Sequence, residues 1–109
     1  MAVSESQVRL RLRPDGPAAR AVTAALAYAV GARAELGVDR LDELLIAIDL
    51  LVASADPPVQ VCFDATAAGL DVTVEPVPAS RLDGLRATLG GLADRVSEAD
   101  AAITVSLDA

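Results

Sequence analysis

Residues 39–55, DRLDELLIAIDLLVASA, constrain the fold more than any other stretch of this sequence. Their large apolar side chains recur every three or four residues, which predicts one face of an α-helix: Leu41, Leu44, Leu45, Ile48, Leu51 and Val52. Asp39 is predicted to be the N-cap, and Asp42 stands three residues later, where the acid of a capping box would lie. Pro57 and Pro58 end the helix, because the residue before a proline is pushed away from helical dihedrals.

The opposite face of this helix is also unusually apolar. It carries Asp42, Ile46, Asp49, Ala53 and Asp56 at steps of three and four, with Leu50 making the helix apolar almost all round. Such a helix is usually buried on two sides. Two covers for Ile46, Leu50 and Ala53 stay open: the hairpin or the 76–81 segment of the same chain, or a partner or dimer surface.

The remaining segments predict strands and helices around this helix. Alternation of apolar and polar residues predicts strands at 8–13, 59–64, 70–75 and 102–107, the middle two as a hairpin. A turn at 14–17 leads to a helix at 18–34, whose predicted core stripe is Val22, Ala25, Leu26, Ala29 and Val30. Ser80 is expected to cap a helix at 81–96 that breaks at Gly90 and Gly91. The order β-α-α-β-β-α-β predicts one α/β (α+β) domain of residues 1–109, a mostly antiparallel sheet with helices on one face.

Composition excludes several classes of function. The chain has no His, Lys or Asn, which removes His-based catalysis, a lysine Schiff base and a Walker lysine. A net charge of −7 argues against nucleic-acid binding. One cysteine, Cys62, rules out an internal disulfide and suits a reducing compartment. No apolar run approaches the roughly 20 residues of a membrane span, and the polar N-terminus is not a signal peptide, so we expect a cytoplasmic location.

The element order and several residues resemble the histidine-kinase-type (GHKL) ATPase domain, in its anti-sigma-factor serine-kinase branch. The segment 43–55, ELLIAIDLLVASA, looks like that family's second helix, which carries an acid-x-x-x-Asn box whose Asn binds magnesium. Asp49 falls at the acid position, and Ala53 replaces the Asn. In VTVEPVPAS, residues 72–80, Pro76 stands where the family's adenine-reading Asp would be, and Pro78 stands at the first glycine. The glycine-rich segment that covers ATP in the family is shortened to a few residues around Asp83 and Gly84.

The resemblance therefore implies a Bergerat-like scaffold that has lost its ATP chemistry. Ala53 has no oxygen ligand for Mg²⁺, Pro76 has no carboxylate, and prolines offer no backbone N–H to phosphates. We expect no cofactor, no metal and no catalysis. Asp49 is interpreted either as a relic catalytic acid or, more simply, as an ordinary acid at a pocket rim that pairs with Arg20, Arg33 or Arg81. The expected function is protein binding, with a sigma factor, its antagonist or a second copy of the chain as partner.

The candidate docking residues are Asp42, Ile46, Asp49 and Leu50 on the second helix, and Arg9 and Arg11 on the first strand. An ordinary solvated strand face is the simpler interpretation of these arginines. Two other functions stay open. One is an active ATP-dependent serine kinase with an unconventional site, and the other is a ferredoxin-like sensor or assembly module.

Overall fold

Five antiparallel strands form one sheet, and four helices pack on one of its faces in the computed structural model, which describes residues 7–13 and 18–108. Within these residues the elements follow the order β1 (Gln7–Leu12), α1 (Ala19–Arg33), α2 (Val38–Ser54), β2 (Val59–Thr66), β3 (Gly69–Glu75), α3 (Ala79–Leu82), α4 (Arg86–Leu92), β4 (Arg95–Ala99) and β5 (Ala102–Asp108). The predicted α+β class and the broad element order are confirmed. The turn predicted at 14–17 lies outside the described residues.

The strand order in the sheet is β1-β2-β3-β5-β4, and all four neighbouring pairs are antiparallel. The strands β1 and β4 are therefore the two edges. A ferredoxin-like plan is built from split βαβ units, in which a helical crossover joins parallel strands. Here α1 and α2 join two adjacent antiparallel strands, so the strand order does not support that alternative.

The sheet has one apolar face and one polar face. On β2, Val59, Val61 and Phe63 are fully buried under the helices, whereas Gln60 and Cys62 between them are half-buried on the open face. This alternation follows from the two-residue period of a strand, and it buries one side of the sheet in the core. The open face is left for polar side chains.

The helix α2 begins one residue before the predicted N-cap. Gly37 occupies the N-cap position in an extended conformation without a side-chain cap, so the assignment of Asp39 as the cap is wrong. The connection from α1 determines this start. Glu35 (φ 60°) ends α1 in the left-handed region, and the Leu36 N–H donates to the Gly31 carbonyl as in a Schellman motif. Leu36 is thereby buried, and the new helix begins directly behind it.

The core-facing side of α1 differs from the predicted stripe. The buried residues are Thr23, Ala27, Val30 and Gly31, whereas Val22, Ala25 and Ala29 of the predicted stripe are exposed. The cause is a close approach of the two helices: a Cβ added at Gly31 would lie 2.1 Å from Leu41 Cδ2. Small residues therefore face α2, and an apolar surface remains on the outside of α1.

The prediction of a single helix at 81–96 is wrong in its second half. Two short helices, α3 and α4, replace it, and Val96 lies on β4, where it pairs with Val105. Asp100 and Ala101 have φ of 51° and 66°, the geometry of a type I′ hairpin turn. Ser80 does not cap the helix, which follows Pro78 without a side-chain cap, and Gly90 lies inside α4 rather than at the break.

Candidate functional site

Asp49 and Ala53 lie in a groove between the helix pair and the end of β1. The groove has a volume of about 330 Å³, and its lining is mostly apolar: Leu12, Ala19, Arg20, Thr23, Asp49, Val52 and Ala53. The two residues share this groove because a spacing of four puts them on one face of α2. The only charged groups in its described lining are Arg20, from α1, and Asp49.

Asp49 forms an ion pair with Arg20, the first of its three predicted partners. Arg20 Nη2 lies 2.8 Å from Asp49 Oδ2, with the arginine side chain 85% exposed and the aspartate 39% exposed. Ion pairs as exposed as this contribute little to stability. Arg81 instead pairs with Asp56 and donates to the Ser54 carbonyl at the end of α2, where the helix dipole favours a cation.

Pro76 and Pro78 lie elsewhere, at the end of β3. The Pro76 carbonyl accepts a hydrogen bond from the Asp56 N–H (2.9 Å), and Pro78 precedes α3 as its N-cap. Pro76 lines a second groove, of about 340 Å³, together with Arg11, Pro58, Gln60, Glu75 and Asp100. The two grooves share no lining residue. The structure therefore does not bring the predicted relic acid and the predicted adenine position together in one cavity.

The outer surface of the helix pair, by contrast, gathers several predicted docking residues. Ile46 is 52% exposed between Asp42 and Asp49, and Leu50 is half-buried beside it. We call the surface formed by Arg20, Tyr28, Asp42, Ile46 and Asp49 the helix seam. Of the two covers left open by the sequence, the hairpin or the 76–81 segment does not cover Ile46 and Ala53, since both are exposed within the described part of the chain.

Sequence reasoning missed Tyr28, which lies on the helix seam. Its hydroxyl donates a hydrogen bond to Asp42 Oδ1 at 2.8 Å, so Asp42 bridges the two helices instead of capping α2. This hydrogen bond, together with the negative charge of Asp42, raises the pKa of Tyr28 above its ordinary value. The signal in the sequence was the one tyrosine of the chain, placed in an alanine-rich helix.

The arginines of β1 lie on the open face of the sheet without ion pairs. Arg9 and Arg11 are exposed, and within residues 7–13 and 18–108 neither has a carboxylate at ion-pair distance. Among the acids on the same face of the sheet are Glu75 on β3, which lines grooves with both arginines and accepts a hydrogen bond from Gln60, and Asp64 on β2, two residues from the Cys62 that pairs with Arg9. The basic strip predicted from the sequence is therefore exposed, and its arginines form no ion pair within the described chain.

Asp94, just before β4, is a second residue that sequence reasoning missed. Its carboxylate accepts hydrogen bonds from the Asp108 backbone N–H (2.7 Å) and from Arg40 on α2. The Asp108 N–H and the Arg40 guanidinium hold the pKa of Asp94 below its ordinary value, against the effect of desolvation. Asp94 thus ties α2 to the β4–β5 hairpin, and nothing in its immediate sequence signals that role.

No cluster of three or more His, Cys, Asp or Glu suited to a metal ion occurs among the described residues. Of the helices described, none is both long and apolar enough to cross a bilayer. The thiol of Cys62 is free and half-buried on the open face of the sheet. Comparison with known proteins adds no family: no protein-family model matches the chain, and no curated protein matches it.

Proposed function

We propose that this domain is a non-catalytic regulatory module that binds a protein partner, resembling an anti-sigma factor that has lost ATP binding. The scaffold order supports this proposal, and so do the substitutions at the positions where the resemblance implies chemistry. Ala53 has no ligand atom, Pro76 has no carboxylate, and the full sequence contains no Asn to replace the missing amide. A cytoplasmic location belongs to the same proposal and rests on the single cysteine.

The observation that carries the proposal is the placement of exposed apolar side chains. Within the described residues, every large apolar side chain that stays exposed lies on α1 or α2: Val22 (42%), Tyr28 (41%), Val38 (68%) and Ile46 (52%). Small apolar residues surround them on α1, where Ala21, Ala25 and Ala29 are exposed. Single exposed apolar residues are common, but here all four lie on the same pair of helices, whose exposed side we propose as the interaction surface.

The charges of the helix seam would give such an interface its orientation. Asp42 and Asp49 flank Ile46 at intervals of four and three residues, and each already bridges to α1 through Tyr28 or Arg20. An apolar centre with polar groups at its rim is the usual arrangement of a protein–protein interface. In this proposal Ile46 and Leu50 supply the apolar contact, and the two acids set the register of the partner.

The absence of ATP binding is tested by isothermal titration of the full chain with Mg-ATP. We expect no heat of binding with nucleotide in the millimolar range, because neither the ion nor the base has a recognition group. Micromolar binding would contradict the proposal. The same titration of the Asp49→Ala variant shows whether any heat that does appear depends on this acid.

Partner binding through the helix seam is tested by copurification from the native host with the Ile46→Asp variant. We expect a specific protein to accompany the unmodified chain and to be lost from this variant. The matched control is Ala67→Asp, which adds the same charge at the exposed turn between β2 and β3. A partner retained by Ile46→Asp would contradict the assignment of the seam.

The second candidate function is an active serine kinase, and the observation that favours it is the presence of Asp49 in a groove of about 330 Å³. The Asp49 carboxylate forms an ion pair with Arg20 in this structure, so a catalytic role would require that ion pair to open. Phosphorylation of a co-encoded protein, lost in Asp49→Ala, would favour this candidate over the first.

A further inference from the structure

We propose that the free edge of β1 accepts an extended segment of a partner protein, in which acidic and apolar residues alternate. This inference rests on the proposed function, since it gives the chemistry of a partner that docks on β1. It concerns β1 rather than the helix seam, although the groove beside β1 includes Val22 of the helix pair. Three observations support it: the outer backbone edge of β1, the arginines of this strand and a neighbouring apolar groove.

The backbone of β1 supplies the first part. Residues 7–12 pair with β2 on one side only, so within the described chain the outer N–H and C=O groups of this strand have no strand partner. Such an edge is a template for another strand, because an added strand satisfies both donors and acceptors. Only an extended peptide chain has the matching pattern of backbone groups.

The arginine strip supplies the second part. An added strand places alternate side chains on the open face, directly beside Arg9 and Arg11, at the spacing of cross-strand neighbours. Five of the nine arginines of the chain form ion pairs, namely Arg20, Arg40, Arg81, Arg86 and Arg95, and the arginines of β1 are not among them within the described residues. Acidic side chains in the partner strand would supply the missing charges.

The helix side of β1 supplies the third part. A groove of about 320 Å³ lies between β1 and the start of α1, with a largely apolar lining: Leu10, Arg11, Leu12, Arg13, Ala18, Ala19 and Val22. Val22 is 42% exposed there. The side chains of an added strand that do not face Arg9 and Arg11 point to this side of the sheet. Apolar residues at those positions would cover Leu10 and Val22.

A second copy of the chain fits this edge poorly. Antiparallel pairing of β1 with itself keeps the two faces matched only in registers that place arginine opposite arginine, such as Arg9 opposite Arg11. Like charges directly opposite each other on a sheet are destabilising. Charge complementarity therefore favours an acidic strand from another protein over a homodimer through β1.

The test uses fluorescence anisotropy of a labelled eight-residue peptide that alternates glutamate with valine, titrated with the full chain. We expect saturable binding that weakens with salt and falls about 10-fold in the Arg9→Gln/Arg11→Gln double variant, as expected for two cross-strand ion pairs. The matched control is Arg33→Gln, which removes one charge from an arginine of the helix layer that has no ion pair among the described residues, and it should leave affinity unchanged. Circular dichroism confirms that each variant is folded.

Two further peptides separate strand addition from simple charge attraction. A peptide of the same composition with its glutamates in one block should bind at least about 10-fold more weakly, and one that alternates lysine with valine should not bind. Equal binding of the blocked peptide would overturn the proposal, as would a concentration-dependent dimer that competes with the peptide for β1. Failure here leaves the Mg-ATP titration and the Ile46→Asp result unchanged, so it is distinct from failure of the proposed function.

Discussion

Both edge strands of the sheet carry arginines, but the two strands differ in whether these arginines form ion pairs. On β4, Arg95 pairs with Asp108 at 2.8 Å, and Glu98 pairs with Arg86 from α4. On β1, Arg9 and Arg11 extend from an equally exposed edge, and the described chain provides neither with an ion pair. The arginine of one edge strand is paired by its own fold, whereas those of the other edge strand form no ion pair with any described residue.

This difference indicates which edge is available to a partner. Charged side chains on an edge strand discourage uncontrolled pairing, and both edges satisfy that requirement. A chain of net charge −7 has enough carboxylates to pair every arginine, yet within residues 7–13 and 18–108 those of β1 form no ion pair. We therefore interpret β4 as a closed edge, stabilised by internal ion pairs, and β1 as the edge that selects an acidic strand.

The largest loss of stability is expected in the buried core next to β1. Phe63 is fully buried on β2, directly opposite Val8 of β1. Phe63→Ala should lower the free energy of unfolding by about 3–5 kcal/mol, through lost burial and a residual cavity. The neighbouring Cys62→Ala, on the open face, should cost less than about 1 kcal/mol. Denaturant unfolding measures both, and equal costs would contradict the assignment of the two faces.

A smaller and pH-dependent effect is expected at the closed edge. The folded state lowers the pKa of Asp94, so its carboxylate stabilises the fold above the unfolded pKa of about 3.9, and this contribution is lost as pH falls through the folded pKa. Asp94→Asn should therefore lower Tm at neutral pH, and the difference from the unmodified protein should close in strong acid.

The control for Asp94 is Asp83→Asn. The Asp83 side chain is 84% exposed, and its contact with Arg86 is long, at 3.5 Å. This variant should show almost no difference in Tm at any pH. A difference for Asp94→Asn that stays constant down to strong acid would mean that the effect comes from packing rather than from the charge.

The next prediction compares the change in Tm when one arginine is removed from each edge strand. Arg95→Gln removes the ion pair with Asp108 and should lower Tm by a few degrees at most, because both side chains are more than half exposed. Arg11→Gln removes no ion pair of the described chain and should leave Tm unchanged, or raise it slightly by relieving repulsion from Arg9 and Arg13. Differential scanning calorimetry of the two variants makes the comparison. A larger loss for Arg11→Gln would show that β1 is not the unsatisfied edge.

The smallest effect concerns Tyr28 at the helix seam. Its pKa is raised chiefly by the hydrogen bond to Asp42, so Asp42→Asn should lower that pKa toward the ordinary value. Because protonated Tyr28 is favoured in the fold, this contribution is present below the ordinary tyrosine pKa and is lost as pH rises through the folded value. Tyr28 is the only tyrosine and the chain has no tryptophan, so absorbance of tyrosinate reports it directly. An unchanged titration would mean that the hydrogen bond does not form in solution.

The sequence predicted the elements whose hydrophobic period was strong and long. The run of leucines in α2 and the alternation in β2 and β3 could be recognised locally, because burial on one face determines the pattern. The hairpin of β4 and β5 was missed because its turn, Asp100 and Ala101, contains no glycine although both residues have positive φ. The core face of α1 was misassigned because the close approach of Gly31 to Leu41 depends on two segments meeting, which no local period encodes.

The candidate site was predictable only in part, for the same reason. A spacing of four placed Asp49 and Ala53 in one groove, as helical geometry requires. The distance between that groove and Pro76 depends on how α2 packs over the sheet, and the sequence alone could not provide it. The arginine strip of β1 could be predicted from the alternation, whereas the lack of ion pairs to other described residues could be seen only in the structure.

The most direct test of the account is hydrogen exchange of the two edge strands with and without the peptide that alternates glutamate and valine. Backbone amides of residues 7–12 should exchange more slowly when the peptide is bound, while those of residues 95–99 should exchange at the same rate as in the free protein. Protection of β4 instead of β1, or binding without protection of either strand, would contradict the claim that β1 is the edge left open for a partner.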